Sequence, residues 1–186
     1  MRVLQRRTES TAVLLIGLAV VRTTEVRGYQ AMPKVDLESA EERKGSSYPS
    51  PFDAPCAGRI RRRLGDAGGL TQFGVNLLHL PPGTWSSQRH WHSAEDEFVY
   101  VLSGEVMLVT NDGEEVLNAG DSAAFPKNSS DGHQLINKSD TAAICLEIGT
   151  RSEDDFCTYS DIDMQIDSKV GRYAHKDGTP YPERGR

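Results

Sequence analysis

From Thr71 to Ile148 the chain is a succession of short alternating segments, each stopped by a turn signal after about eight to twelve residues, with no segment of helical period. Thr71 to Leu80 reads as a strand with Phe73, Val75, Leu77 and His79 on one face and Gly74, Asn76, Leu78 and Leu80 on the other, ended by the turn Pro81-Pro82-Gly83. Glu97 to Leu102 alternates in the same way: with Glu97 pointing in, Val99 and Val101 point in and Phe98, Tyr100 and Leu102 point out. Asn111-Asp112-Gly113 joins Glu105–Thr110 to Glu114–Leu117 as a hairpin. Ser122–Phe125 follows the turn at Gly120, and Gln134–Asn137 is expected to pair with Ala142–Ile148 across the turn between them. Strands this short bury their apolar faces only in two layers, so the pattern predicts an all-β sandwich or barrel.

Polar flanks surround this region, whose expected bounds are residues 70–150. Residues 1–31 carry Arg2, Arg6 and Arg7 before an apolar run, Ala12–Val21, too short to span a bilayer. This resembles a targeting segment without its cleavage pattern, so a cytoplasmic protein is expected, with a secreted or organellar one as the alternative. Residues 32–69 read as an arm, rich in Ser and Pro up to Pro55, then basic from Arg59 to Arg63, the arginines expected to pair with the acidic tail or face water. Residues 151–186 read as a solvated acidic arm; the spacing of Asp154, Asp155, Asp161, Asp163 and Asp167 does not fit a calcium loop. A net charge of −6 argues against nucleic acid as a partner, and Cys56, Cys145 and Cys157 are too scattered for a disulfide framework or a zinc site. No stable membrane insertion is expected. Phe98, Tyr100 and Leu102 are too apolar to face water and need a cover, either the arm or a second copy, so a homodimer is expected.

Chemistry concentrates between Gly83 and Gly104. His90 and His92 flank Trp91 and so share one face of a strand. Glu97 has the wrong parity to join them on one unbroken strand. The polar turn Ser93–Asp96 removes the conflict by opening a second strand, expected beside the first. His133 supplies a further imidazole. Nitrogen and carboxylate ligands without thiolate suit one divalent transition metal, manganese or iron first, with zinc, nickel or cobalt also fitting. His79 is a less favoured fifth ligand, more in keeping with packing at a strand end.

Gly83, His90-x-His92, Glu97 and Gly104 resemble the first cupin motif, and Gly120, Pro126, His133 and Asn137 the second. Asn128 stands where the family has a glycine, and the Pro126–His133 loop is two residues longer than the common form. The resemblance implies a double-stranded β-helix, the jelly-roll barrel of the cupins, here with extended N- and C-terminal arms. It implies a metal held by His90, His92, Glu97 and His133, with positions left open for a small-molecule ligand. The whole chain is similar to small single-domain cupins sometimes linked to sugar phosphates. Three uses remain open at this point. The first is an oxygenase, isomerase or lyase acting on a hydroxy acid, sugar derivative or diketone. The second is a module that binds or senses a sugar or sugar phosphate without turnover, and the third is a purely structural metal.

Overall fold

The computed structural model describes residues 34–182, so the expected targeting segment lies outside the described residues. The arm supplies β1 (Glu42–Lys44) and β2 (Ile60–Arg63). The central region holds β3 (Phe73–Leu80), β4 (His90–His92), β5 (Glu97–Ser103), β6 (Glu105–Thr110), β7 (Gly113–Asn118), β8 (Ser122–Phe125), β9 (Gln134–Ile136) and β10 (Ala143–Thr150). The C-terminal segment adds β11 (Phe156–Tyr159), β12 (Gln165–Asp167) and β13 (Arg172–Ala174). Among the described residues helix is limited to one turn, α1 (Leu64–Ala67), and short 3-10 pieces, none able to cross a membrane.

One wall of the barrel is an antiparallel sheet in the order β1-β2-β3-β10-β5-β8. The other is built from β7-β6-β9 and β13-β12-β11-β4, joined by a bridge between His90 and His133. The alternation read from the sequence decides which side chains lie between the walls. Leu78, Leu80, Val99, Val101, Val106, Leu108, Leu117, Leu135, Ala143 and Cys145 form one buried cluster. The β6–β7 hairpin turns through Asn111-Asp112 as expected, with Thr110 opposite Gly113.

Three expectations need correction. First, β9 pairs with β6, not with β10, which instead lies between β3 and β5. Buried Asn137 explains the divergence: its amide donates to the carbonyls of Leu80 at 2.7 Å and Thr141 at 2.8 Å, carrying the chain from one wall to the other. Second, β4 and β5 are not neighbours. β4 pairs with β11 and β5 with β10 and β8, because the turn between them is tied to the end of β10, through Asp96 N donating to Thr150 Oγ1 and Ser152 N donating to Glu95 Oε1. Third, residues 156–174 hold β11, β12 and β13 rather than forming a solvated tail. Cys157, Tyr159 and Met164 pack with Tyr48 and Cys56 of the arm in a second buried cluster, flanked by Trp85.

The arm therefore covers the C-terminal strands and not β5. Phe98, Tyr100 and Leu102 stay 38, 39 and 48% exposed. All three cysteines are free and buried.

Two motif glycines differ in what holds them. Gly83 and Gly104 both have positive φ, 73° and 71°. A Cβ at Gly83 would meet nothing, whereas one at Gly104 would lie 2.7 Å from the Ala142 carbonyl oxygen. Gly83→Ala should cost about 1–2 kcal/mol from backbone strain alone. Gly104→Ala should cost roughly 3 kcal/mol or more, because strain and overpacking add. Urea unfolding of the two variants checks the order; equal losses would contradict it.

Candidate metal centre

β4 faces β5 across the barrel, so His90 and His92 meet Glu97 from the opposite wall, and His133 enters from the loop before β9. His90, His92 and His133 place Nε2 at 3.6, 3.5 and 3.0 Å from a single atom, Glu97 Oε2. All four proposed ligands are brought together. Phe125 stacks flat on His133, ring centroids 3.6 Å apart, which fixes that imidazole from behind. Asn128, in the place of the family's glycine, adopts φ 60°, a conformation asparagine tolerates better than most residues, and its N–H donates to the His92 carbonyl at 2.7 Å. The longer loop thus still delivers His133.

Hydrogen bonds on the far side of two rings settle their tautomers. His90 Nδ1–H donates to the Gln88 carbonyl at 2.9 Å, and His92 Nδ1–H donates to Asp155 Oδ2 at 2.6 Å. Their Nε2 atoms then present lone pairs to Glu97 Oε2, itself an acceptor. Although His133 Nε2 approaches it, Oε2 is buried with no hydrogen-bond partner, and so is His133 Nδ1. Converging lone pairs repel, and a buried carboxylate oxygen without a donor is costly. A cation at that spot would satisfy the converging Nε2 atoms and Oε2 together, so the residues fit a metal. Burial, reinforced by His133 and His92 against the pull of Glu97, brings His90 down to about 3. Burial alone would raise Glu97, but His133 and then His90 and His92 outweigh it and hold the carboxyl well below the usual range. Burial also works to lower His92, yet Glu97 and Asp155 prevail and its pKa rises. A neutral His90 and an ionised Glu97 are in the states a cation requires, whereas His92 has to give up its second proton to bind one.

Asp155 was not legible as part of the site. It sits in an acidic run, yet it is 2% exposed and also accepts from Ala94 N at 2.8 Å. The one usable sign is its place immediately before Phe156–Tyr159, where Cys157 and Tyr159 alternate inward. Three other acidic residues of that segment have separate partners: Lys169 for Asp154, Arg89 for Asp161, His175 for Asp163. His79 is opposite Ile60 and Ile144 on the outer face and belongs to no ligand cluster among the described residues. An amide at position 155 can satisfy Ala94 N or His92 Nδ1–H but turns a donor toward the other. Asp155→Asn should therefore weaken metal affinity about 10–100-fold, read by competition with a chromophoric chelator; unchanged affinity would remove Asp155 from the site.

A cavity of about 430 Å³ opens above these ligands, lined also by Tyr48, Arg59, Arg61, Glu95, Glu147 and Tyr159. That volume suits a small molecule. Arg61 and Glu147 form an ion pair in its wall, Nε to Oε2 at 2.7 Å. Arg62 and Arg63 meet Glu42 and Asp66, carboxylates close to them in the arm and not the acidic tail that was expected to pair with the basic run.

The cupin domain model matches residues 76–149. The chain is similar to a crystal structure of a sugar phosphate isomerase of the cupin superfamily from Silicibacter pomeroyi. The two are 47% identical with a TM-score of 0.76, covering 81% of this chain and 97% of that one. It is also similar to a candidate sugar phosphate isomerase from Acidithiobacillus ferrooxidans, with 30% identity, TM-score 0.62, and coverage of 71% and 83%. A polyketide cyclase from Streptomyces resistomycificus, 18% identical at TM-score 0.51 over 64% of this chain and 79% of that one, shares the fold alone. No curated protein matches the chain.

Proposed function

The chain belongs to the cupin superfamily, and from that premise we propose that it is a metal-dependent enzyme acting on a small oxygen-rich molecule, a sugar derivative before a hydroxy acid or diketone, by isomerisation. The reading is carried by the convergence of imidazole nitrogens on the unpartnered Glu97 Oε2. The 47%-identical sugar phosphate isomerase supports the substrate class.

His90, His92, Glu97 and His133 would hold one divalent transition metal, manganese or iron by ligand type. When bound, the metal polarises the hydroxyl or carbonyl oxygens of the ligand as a Lewis acid. The chain does the rest. The barrel walls surround the ligands, and the Arg61–Glu147 pair offers polar edges to hydroxyl groups. Glu95 is placed to handle a proton. It lines the cavity beside the ligands, Oε1 accepting from Ser152 N at 2.7 Å and Oε2 lying 3.9 Å from His92 Nδ1, and burial raises its carboxyl, so it is the carboxylate assigned to exchange a proton with a substrate hydroxyl.

The test is turnover of aldose and ketose phosphates followed by NMR. Interconversion should vanish with chelator and return with manganese or iron. Tight binding without product would support the sensing module instead, and ligand binding by metal-free, folded protein at unchanged affinity would count against both. The exposed face of β5 is assigned to a second copy of the chain.

A further inference from the structure

Three arginines line the cavity from the β2 side: Arg59, Arg61 and Arg63. Two are matched by carboxylates. Arg61 meets Glu147 through two nitrogens, at 2.7 and 2.9 Å, and Arg63 meets Asp66 at 2.7 Å and Glu41 at 3.4 Å. Arg59 is different. Among the described residues no carboxylate lies within ion-pair distance of it. Its Nε donates to the Gly45 carbonyl at 2.8 Å and its Nη1 to the Ser86 carbonyl, and neither bond uses Nη2. The side chain is only 8% exposed, with its guanidinium carbon 5.9 Å from the centre of the Tyr48 ring.

A buried guanidinium whose partners are all neutral keeps its full charge in a medium that screens poorly. The carbonyls orient the fork without neutralising it. Ser86 begins the Ser86–Gln88 stretch that leads into His90, so this fork is anchored to the same backbone that carries the metal-type ligands. The cavity would therefore have two positive ends once a divalent ion is bound: the site of His90, His92, Glu97 and His133, where a single carboxylate would face the ion, and Arg59. We propose that Arg59 anchors the anionic group, phosphate or carboxylate, of the molecule whose oxygens meet the metal. Guanidinium suits such oxyanions because its forked donors match two oxygens at once. The substrate is then a short chelating compound with an acidic terminus, held at both ends. This inference rests on the metal-centred reading above, but its test does not use the metal.

Metal-stripped full-length protein is titrated with inorganic phosphate and, separately, with acetate, by calorimetry. Saturable binding in the millimolar range, weakened by added salt, is expected; a preference for phosphate over acetate identifies a phosphoryl terminus, and the reverse a carboxylate. Arg59→Gln should lower the preferred anion's affinity about tenfold or more and retain about one metal per chain when reloaded. In wild-type protein the Nε–H resonance of Arg59 should shift on anion addition while that of Arg62, on the outer face, stays in place. This last readout needs no variant, so it holds if Arg59→Gln fails to fold. Absence of saturable binding, binding that Arg59→Gln leaves intact, or an unmoved Arg59 resonance each overturns the proposal. Loss of metal in His92→Ala with anion binding retained keeps the two ideas apart.

Discussion

His92→Ala should abolish metal uptake: elemental analysis is expected to fall from about one metal per chain to near zero, while Trp91→Ala keeps its metal. The two residues are adjacent on β4 but point to opposite faces, so the pair isolates the ligand from the strand. The loss should be nearly complete because His92 is oriented from behind and its free Nε2 is aimed at the ion's place. Asp155 holds Nδ1 at 2.6 Å, and Nε2 lies 3.5 Å from Glu97 Oε2. Stability should follow the metal. At a free metal concentration a thousandfold above the dissociation constant, binding contributes about 4 kcal/mol to the folded state. Manganese should therefore raise the midpoint of wild-type thermal unfolding and leave that of His92→Ala unmoved. Each protein is compared with its own metal-free form, which removes the separate cost of leaving buried Asp155 without its partner. Full metal content in His92→Ala would refute the ligand set.

Tyr100→Glu should turn a dimer into a monomer. The outer face of the six-stranded sheet carries two apolar rows across β3, β10 and β5: Val75, Ile148 and Phe98, then Leu77, Leu146 and Tyr100. Leu102 extends the patch along β5. From β2 to β8 the face is about 24 Å wide and about 27 Å long by strand spacing and rise, on the order of 600 Å² before side-chain relief. That approaches the roughly 800 Å² a standard interface takes from each partner. The described part of the arm, which could have covered this face, packs on the C-terminal strands instead. Tyr100 lies near the middle, and a two-fold axis would bury two carboxylates there for each dimer. Dissociation should strengthen by at least about 100-fold, read by sedimentation at micromolar protein, with metal content unchanged. A wild-type chain that sediments as a monomer would remove the interface.

What is legible in the sequence alone is what depends on neighbours in the chain. Alternation in Glu97–Leu102 separated Val99 and Val101, which are buried, from Phe98, Tyr100 and Leu102, which are exposed. Parity alone put His90 and His92 on one face. Strand partners were not legible, because pairing is a choice between distant segments. Gln134–Ile136 could satisfy its backbone on β6 or on β10, and only the hydrogen bonds of Asn137 to Leu80 and Thr141 decide between them. The same limit made Glu97 look like a neighbour of His90 when it stands opposite. Asp155 was hidden by composition, since a buried carboxylate looks like a solvated one until its donors are seen. Arg59 was masked in the same way by the arginines that follow it.

The matched cupin stretch ends at residue 149, but the strand carrying the two histidines is completed beyond it: Tyr159 pairs with His90 and Cys157 with His92. A gene fragment trimmed at the family boundary would leave β4 as a bare edge at the mouth of the barrel, open to strand exchange between copies. Recombination that grafts this barrel onto another protein must place its junction after the last paired strand, near Ala174, or carry over a fold that has lost its chemistry.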